Sequence, residues 1–146
     1  MTEDRLSRVV RGSALYDLLV TWPFATPWSF MALHGLLQQW HEAWQLPGAW
    51  PAMTPLTVLM GNLMGTVVVV WALARWRHPT PTLGALDTAA RLAFATWQLH
   101  AFMQGVTPLV LGFTVLEVAF GLWQGWALWQ WRRGAAQMQR RQSLTG

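Results

Sequence analysis

The 146-residue chain has no cysteine, no lysine and only six acidic residues. Without cysteine there is no disulfide, no thiol nucleophile and no thiolate metal site. Charged residues make up 11% of the chain, against about a quarter in soluble domains, which is too few to solvate the surface of a water-soluble fold. No Ser-His-Asp grouping, phosphate-binding loop or dinucleotide fingerprint can be read along the chain. The net charge of +4 comes from ten arginines. In a soluble protein that balance would suggest nucleic acid; here the arginines flank apolar runs, and membrane topology explains them more simply. What the chain has is 53% apolar residues and 12 tryptophans, the composition of a polytopic membrane protein folded as one domain.

The sequence is organised around Leu109–Trp131, an almost unbroken apolar run long enough to cross a hydrocarbon core of ~30 Å as a helix. Glu117 lies near its middle, with Gly121 and Gly125 one and two turns further on the same face. A G-x-x-x-G face admits a close helix neighbour, and that neighbour would shield the carboxylate. Intramembrane acids are costly and commonly functional, so Glu117 is the leading candidate for a functional residue.

Four spans are expected, near residues 18–40, 55–76, 84–103 and 109–131, forming an all-α four-helix membrane bundle. Residues 1–12 read as a basic surface turn, with Ser13 as the cap of the first helix and no cleavable leader. Pro23 and Pro27 kink or break the first span, and Thr26-Pro27 is able to restart it. Residues 41–53, rich in tryptophan, read as an interfacial lid. Gly61 and Gly65 form a second G-x-x-x-G, with Asn62 between them. Arg75, Arg77, His78 and PTPT form the middle loop. Thr107-Pro108 opens the fourth span after a very short link. Residues 132–146 read as a basic, disordered tail. Thr-Pro-Leu opens both the second and fourth spans, and similar Trp-Ala-Leu segments close them, a pattern expected of two duplicated hairpins.

Nine arginines (Arg5, Arg8, Arg11, Arg75, Arg77, Arg132, Arg133, Arg140, Arg141) fall on one side of this arrangement and none on the other. The positive-inside rule then puts both termini in the cytoplasm of a bacterial inner membrane.

Helical rise sets His34, Asn62, Gln98 and Glu117 roughly 8–13 Å below the outer surface, where they would line one pocket. Asp17, Asp87 and Arg91 form a second tier near the inner surface. Asp87 and Arg91 read as an i, i+4 pair whose arginine reaches the interface, and Asp17 as a residue favoured at a helix start. His100 points away from Gln98, so a haem held by His34 and His100 is not expected. No metal or other cofactor is expected either.

The architecture resembles the broad DoxX-like group of small bacterial membrane proteins: four short spans, cytoplasmic termini, Asp17 near the start of the first span and sparse interior polar groups. That resemblance implies that Glu117, His34 and Asn62 line a lipophilic pocket. The leading expectation from the residues is a non-enzymatic accessory protein, assembling with partner membrane subunits or with itself through Gly61, Gly65, Gly121 and Gly125. The alternative is a protein or enzyme acting on a quinone, isoprenoid or sterol-like molecule. There Glu117 would be the proton donor, His34 a second acid–base group, Asn62 an orienting hydrogen-bonder, and the tryptophan loop a lid.

Overall fold

The computed structural model describes residues 3–145. The first two residues of the basic N-terminus and the last residue of the tail lie outside the described residues. The fold is all-α: α1 (Glu3–Thr21), a 3-10 turn (Trp22–Ala25), α2 (Pro27–Ala43), α3 (Pro55–Arg77), α4 (Pro81–Met103) and α5 (Leu109–Thr145).

Three helices start by the same local chemistry. Thr26, Thr54 and Thr80 are extended, and proline with its fixed φ follows each. Each threonine Oγ1 accepts the backbone N–H three residues on, from Ser29 at 3.3 Å, Thr57 at 3.1 Å and Leu83 at 3.2 Å. The cap occupies an otherwise orphaned donor, and proline has none to lose. The motif at Thr80-Pro81 starts α4 three residues before the expected Gly84, so PTPT is a helix entry and not only a loop.

The first arm is broken rather than kinked. Pro23 and Pro27 lack the donors that would carry one helix through, and the chain passes through the 3-10 turn and the extended Thr26. Two carbonyls at the break are satisfied from outside the local ladder: Ser29 Oγ donates to Pro23 O at 2.7 Å, and Asn62 Nδ2 donates to Phe24 O at 2.8 Å. Gly65 lies against the Phe24 backbone and Gly61 against the Phe30 ring, so a Cβ at either would collide. The α3 glycine face is therefore the seat of the break.

Helix directions follow from the contacts. Along α4 and α5, Gly84 meets Leu128, Thr88 meets Gly125 and Arg91 meets Gly121, an antiparallel hairpin. α1 is antiparallel to α3, with Ser7 bonded to Pro79 O and Arg11 to Trp76 O. It is also antiparallel to α5, with Gly12 against Trp123 and Tyr16 stacked on Phe120. Hence α3 and α5 run in the same direction, and α4 runs back between them. One end of the fold carries the start of α1, the α3–α4 turn and the far end of α5. The other carries the 44–54 loop and the 104–108 turn, stitched together by Ala49 N–H to Gly105 O (2.8 Å) and Thr107 N–H to Ala49 O (3.3 Å). Gly48, at φ +94°, comes so close to Gly105 O that no side chain fits.

Three expectations about the ends change. Ser13 is not a cap: α1 starts at Glu3, and Ser13 is buried in its interior. The tail is not disordered: α5 continues as helix to Thr145. The proposed duplication meets an asymmetry, since the first arm is two helices and its counterpart α4 is one.

The interior is inverted relative to a water-soluble fold. Buried apolar residues are few and mostly small: Leu6, Val10, Ala14, Ala72, Ala95, Ala127 and Leu128. Buried charges are Asp17, Arg75, Asp87 and Arg91, while Trp28, Val67, Trp97, Val115 and Leu122 are more than half exposed. Two stretches, Pro55–Arg77 and Leu109–Arg140, are long and apolar enough to cross a membrane.

Candidate functional site: a buried five-charge cluster

Four helices each send a polar stripe to one point. From α1 come Ser13 and Asp17, one turn apart. From α3 come Trp71 and Arg75, from α4 Asp87 and Arg91, and from α5 Glu117 and Gln124. The spacings of four residues on α1, α3 and α4 put both members of each pair on one face. Asp17 bridges the two arginines: Arg75 Nη2 pairs with Oδ2, and Arg91 Nη2 with Oδ1 at 2.7 Å. Asp87 Oδ2 is ion-paired with Arg75 Nη1 at 2.8 Å and accepts from Arg91 Nε at 3.1 Å. It also accepts from Ser13 Oγ at 3.1 Å and Gln124 Nε2 at 3.0 Å, while Asp87 Oδ1 takes the Trp71 indole N–H at 3.3 Å. Arg91 Nη1 donates to Glu117 Oε2 at 2.8 Å.

Burial is nearly complete. The side chains of Arg75 and Arg91 are 0% and 2% exposed, and Glu117, at 15%, is the most open member. The Arg91 guanidinium also lies beside the Tyr16 and Phe120 rings, at 5.5 Å and 5.4 Å from their centroids. Removing such charges from water is expensive, and close pairing with further hydrogen bonds is what offsets the cost. Gly121 and Gly125 serve this packing, with ideal Cβ positions 3.6 Å from Arg91 Cβ and 3.5 Å from Thr88 Cγ2.

The four residues expected to share a pocket do not meet. Glu117 belongs to the cluster. Asn62 caps the break in the first arm. His34 bonds to Pro51 O at 2.9 Å and packs beside Trp50 at the loop end. Gln98 is half-buried, and its Oε1 has no partner. His100 is exposed and meets Trp97 edge-on. Both glycine pairs are occupied inside the chain, Gly61 and Gly65 by the first arm and Gly121 and Gly125 by α4. No group of three or more metal-type ligands occurs among the described residues.

The expected inner tier was misassigned. Asp87 and Arg91 do pair, but Arg91 does not reach the interface; it is the hub of the cluster. Arg75 is not a loop arginine but a buried one, whereas Arg5, Arg8, Arg11, Arg77, Arg132, Arg133 and Arg140 are exposed. Asp17 is deep in α1, not at a helix start. Two of the shifts share a cause: α1 and α4 begin earlier than expected, so Asp17 and Arg91 lie further along their helices. Arg75 differs, because α3 starts where expected and stays helical through its last turn to Arg77, which turns Arg75 inward. From the sequence, Ser13 reads as a cap and Arg75 as a loop arginine, and Gln124 is not singled out. The available signal was charge arithmetic: five ionisable residues within apolar spans require mutual compensation.

A second feature lies at the loop end. A cavity of about 140 Å³ is lined by His34, Leu37, Trp50, Pro51, Thr107, Leu109, Val110 and Phe113. His41 Nδ1 and Thr107 Oγ1, 2.9 Å apart, tie α2 to the start of α5 beside it. Against known proteins, no family model, curated sequence or solved structure matches the chain.

Proposed function

We propose that this chain is a four-crossing protein of the bacterial inner membrane with both termini in the cytoplasm, acting as an accessory subunit that carries a basic helix to a partner. The observation that carries the reading is the inversion of the fold, with charges enclosed and large apolar side chains around the perimeter. In water such a perimeter would aggregate; against lipid it is solvated. α4 is largely apolar, and its Asp87 and Arg91 charges are both spent inside the cluster. The first half of α1 is charged and exposed (Glu3, Asp4, Arg5, Arg8, Arg11), and the first arm turns apolar only beyond it, where Asp17 is likewise paired. Chain direction adds a second argument. If α3 and α5 both cross while running the same way, α4 has to return across between them. The exposed arginines gather toward one end, which the positive-inside rule makes cytoplasmic.

The glycine faces cannot serve as association surfaces, because the chain fills them itself. The free element is the end of α5. Beyond Trp131 it continues to Thr145, a projection of roughly 20 Å at 1.5 Å per residue. It carries Arg132, Arg133 and Arg140 and an exposed Met138. A polar helix with no packing partner is marginal in water, so a partner that covers it gains directly. Native mass spectrometry of the full chain, gently extracted from its own membrane, tests the reading. The expected result is a second protein at fixed stoichiometry, lost from a chain ending at Gly134. A homo-oligomer or bare chain in both cases would overturn the accessory role.

The cavity beneath Trp50 supports a second reading, binding of a lipophilic molecule such as a quinone ring or isoprenoid end. Its size is close to the ~150 Å³ that accommodates benzene. In this reading His34 and the 44–54 loop remain as wall and lid, whereas Glu117 and Asn62 are no longer part of the site. A reproducible small-molecule adduct, lost on Phe113→Trp, would favour it.

A further inference from the structure

The ion cluster does not balance. Asp17, Asp87 and Glu117 supply three carboxylates, and Arg75 and Arg91 supply two guanidiniums. No histidine enters it. Fully ionised, it holds one negative charge in excess within an apolar surrounding, where an uncompensated charge is strongly disfavoured. We infer that the cluster is a proton-binding site, holding one exchangeable proton on the Glu117 carboxyl. The inference rests on the membrane-crossing reading.

Hydrogen-bond accounting selects the residue. Both oxygens of Asp17 receive arginine N–H groups. Both oxygens of Asp87 receive donors as well: Arg91 Nε, Ser13 Oγ and Gln124 Nε2 on Oδ2, and Trp71 Nε1 on Oδ1. A proton on either aspartate would set donor against donor. Among the described residues Glu117 accepts one N–H, from Arg91 on Oε2, so its other oxygen is free to carry the proton. Glu117 is also the most open of the three acids, which gives the proton a way in and out.

The groups facing the site are Tyr16 and Asp17 from α1, Arg75 from α3, Asp87 and Arg91 from α4, and Gln124 from α5. Three polar atoms near the cluster are buried without a partner: Tyr16 OH, Arg75 Nε and Gln124 Oε1. The Tyr16 ring stacks on Phe120 within 4.1 Å between centroids, one turn along α5 from Glu117. Its hydroxyl is buried without a partner and so is free to take up a hydrogen bond. On this account the cluster is a lock that binds a proton reversibly, neutral when loaded and short of one positive charge when empty.

Infrared spectroscopy of the full chain in phosphatidylcholine–phosphatidylglycerol vesicles tests it. The carboxylic-acid C=O stretch should be present at neutral pH, shift in D₂O, disappear on alkalinisation and be missing from Glu117→Gln. Glu42→Gln, at an exposed position remote from the cluster, should retain it. Glu117→Gln mimics the protonated side chain, so it should fold and melt as the parent does, while Asp17→Asn should not. A parent spectrum with no carboxylic-acid band overturns the inference without any variant, as does a band that survives in Glu117→Gln. Alkaline carbonate washing separates the two levels. A chain that stays in the vesicles yet shows no band defeats the proton site alone; a chain that washes off defeats the membrane reading.

Discussion

At the scale of single residues, Arg91 decides whether the fold holds. It contacts all three carboxylates of the cluster and joins α4 to α1 and α5. Arg91→Leu keeps an apolar stem in place but leaves three acids to the single remaining arginine. Breaking a buried pair by removing one partner costs about 3–5 kcal/mol, a large part of the 5–15 kcal/mol that holds a typical domain together. The expected outcome is loss of the folded detergent-solubilised protein, read as aggregation in size-exclusion chromatography. A double variant, Arg91→Leu with Glu117→Leu, should recover part of the loss because it removes the acid that depends most on Arg91. Equal loss in the single and double variants would show that the Arg91–Glu117 contact contributes nothing. A residue so connected has no distinctive local signature. Arg91 is an ordinary i+4 partner of Asp87 when α4 is read alone, and its contacts to Asp17 and Glu117 are 74 and 26 residues away in sequence. Long-range pairing of this kind becomes visible only when every charge within an apolar stretch is required to find a partner.

At the scale of elements, the starts of α2 and α3 were legible because their chemistry is local; the starts of α1 and α4 and the purpose of each polar residue were not. Threonine followed by proline marks the entry to α2, α3 and α4, and Pro23 with Pro27 marks the interruption of the first arm. That Asn62 faces this interruption depends on α3 lying beside it, which no window of sequence contains. Asn62 had also read as a pocket residue, the orienting hydrogen-bonder of the alternative reading. The bond from its amide to Phe24 O at 2.8 Å makes it the support for a carbonyl that the broken helix leaves bare. Asn62→Leu should therefore destabilise the chain by about 1–3 kcal/mol, the usual cost of a buried acceptor left alone, seen as a lower midpoint in thermal unfolding. Any lipophilic molecule carried by the protein should remain bound. Unchanged stability with loss of a bound molecule would return Asn62 to the role of ligand contact. The tail failed to be read for a different reason. RRGAAQMQRRQSLT has no apolar periodicity, so nothing in it announces a helix; it is helical as the continuation of α5, whose earlier turns are already formed and remove the nucleation cost.

At the scale of the whole molecule, the absence of cysteine in the chain becomes an experimental advantage, because any introduced cysteine is unique. The packing makes the direction of every arm depend on the others. α1 is antiparallel to both α3 and α5, and α4 is antiparallel to α5, so assigning a side to one turn assigns a side to all of them. Four single variants sample the two ends at exposed positions: His78→Cys and Ser143→Cys at the arginine-bearing end, Glu42→Cys and Gln104→Cys at the loop end. In intact cells a membrane-impermeant maleimide should label Glu42→Cys and Gln104→Cys, and should reach His78→Cys and Ser143→Cys only after permeabilisation. Trp97→Cys, exposed on the α4 perimeter, should resist the polar reagent in both conditions because lipid covers it. A fold that met water along α4 would instead label Trp97→Cys readily. That result would be hard to reconcile with an interior that keeps its arginines dry and a perimeter built of tryptophan, leucine and valine, since the cluster would then have been bought with charges that water could have solvated at no cost.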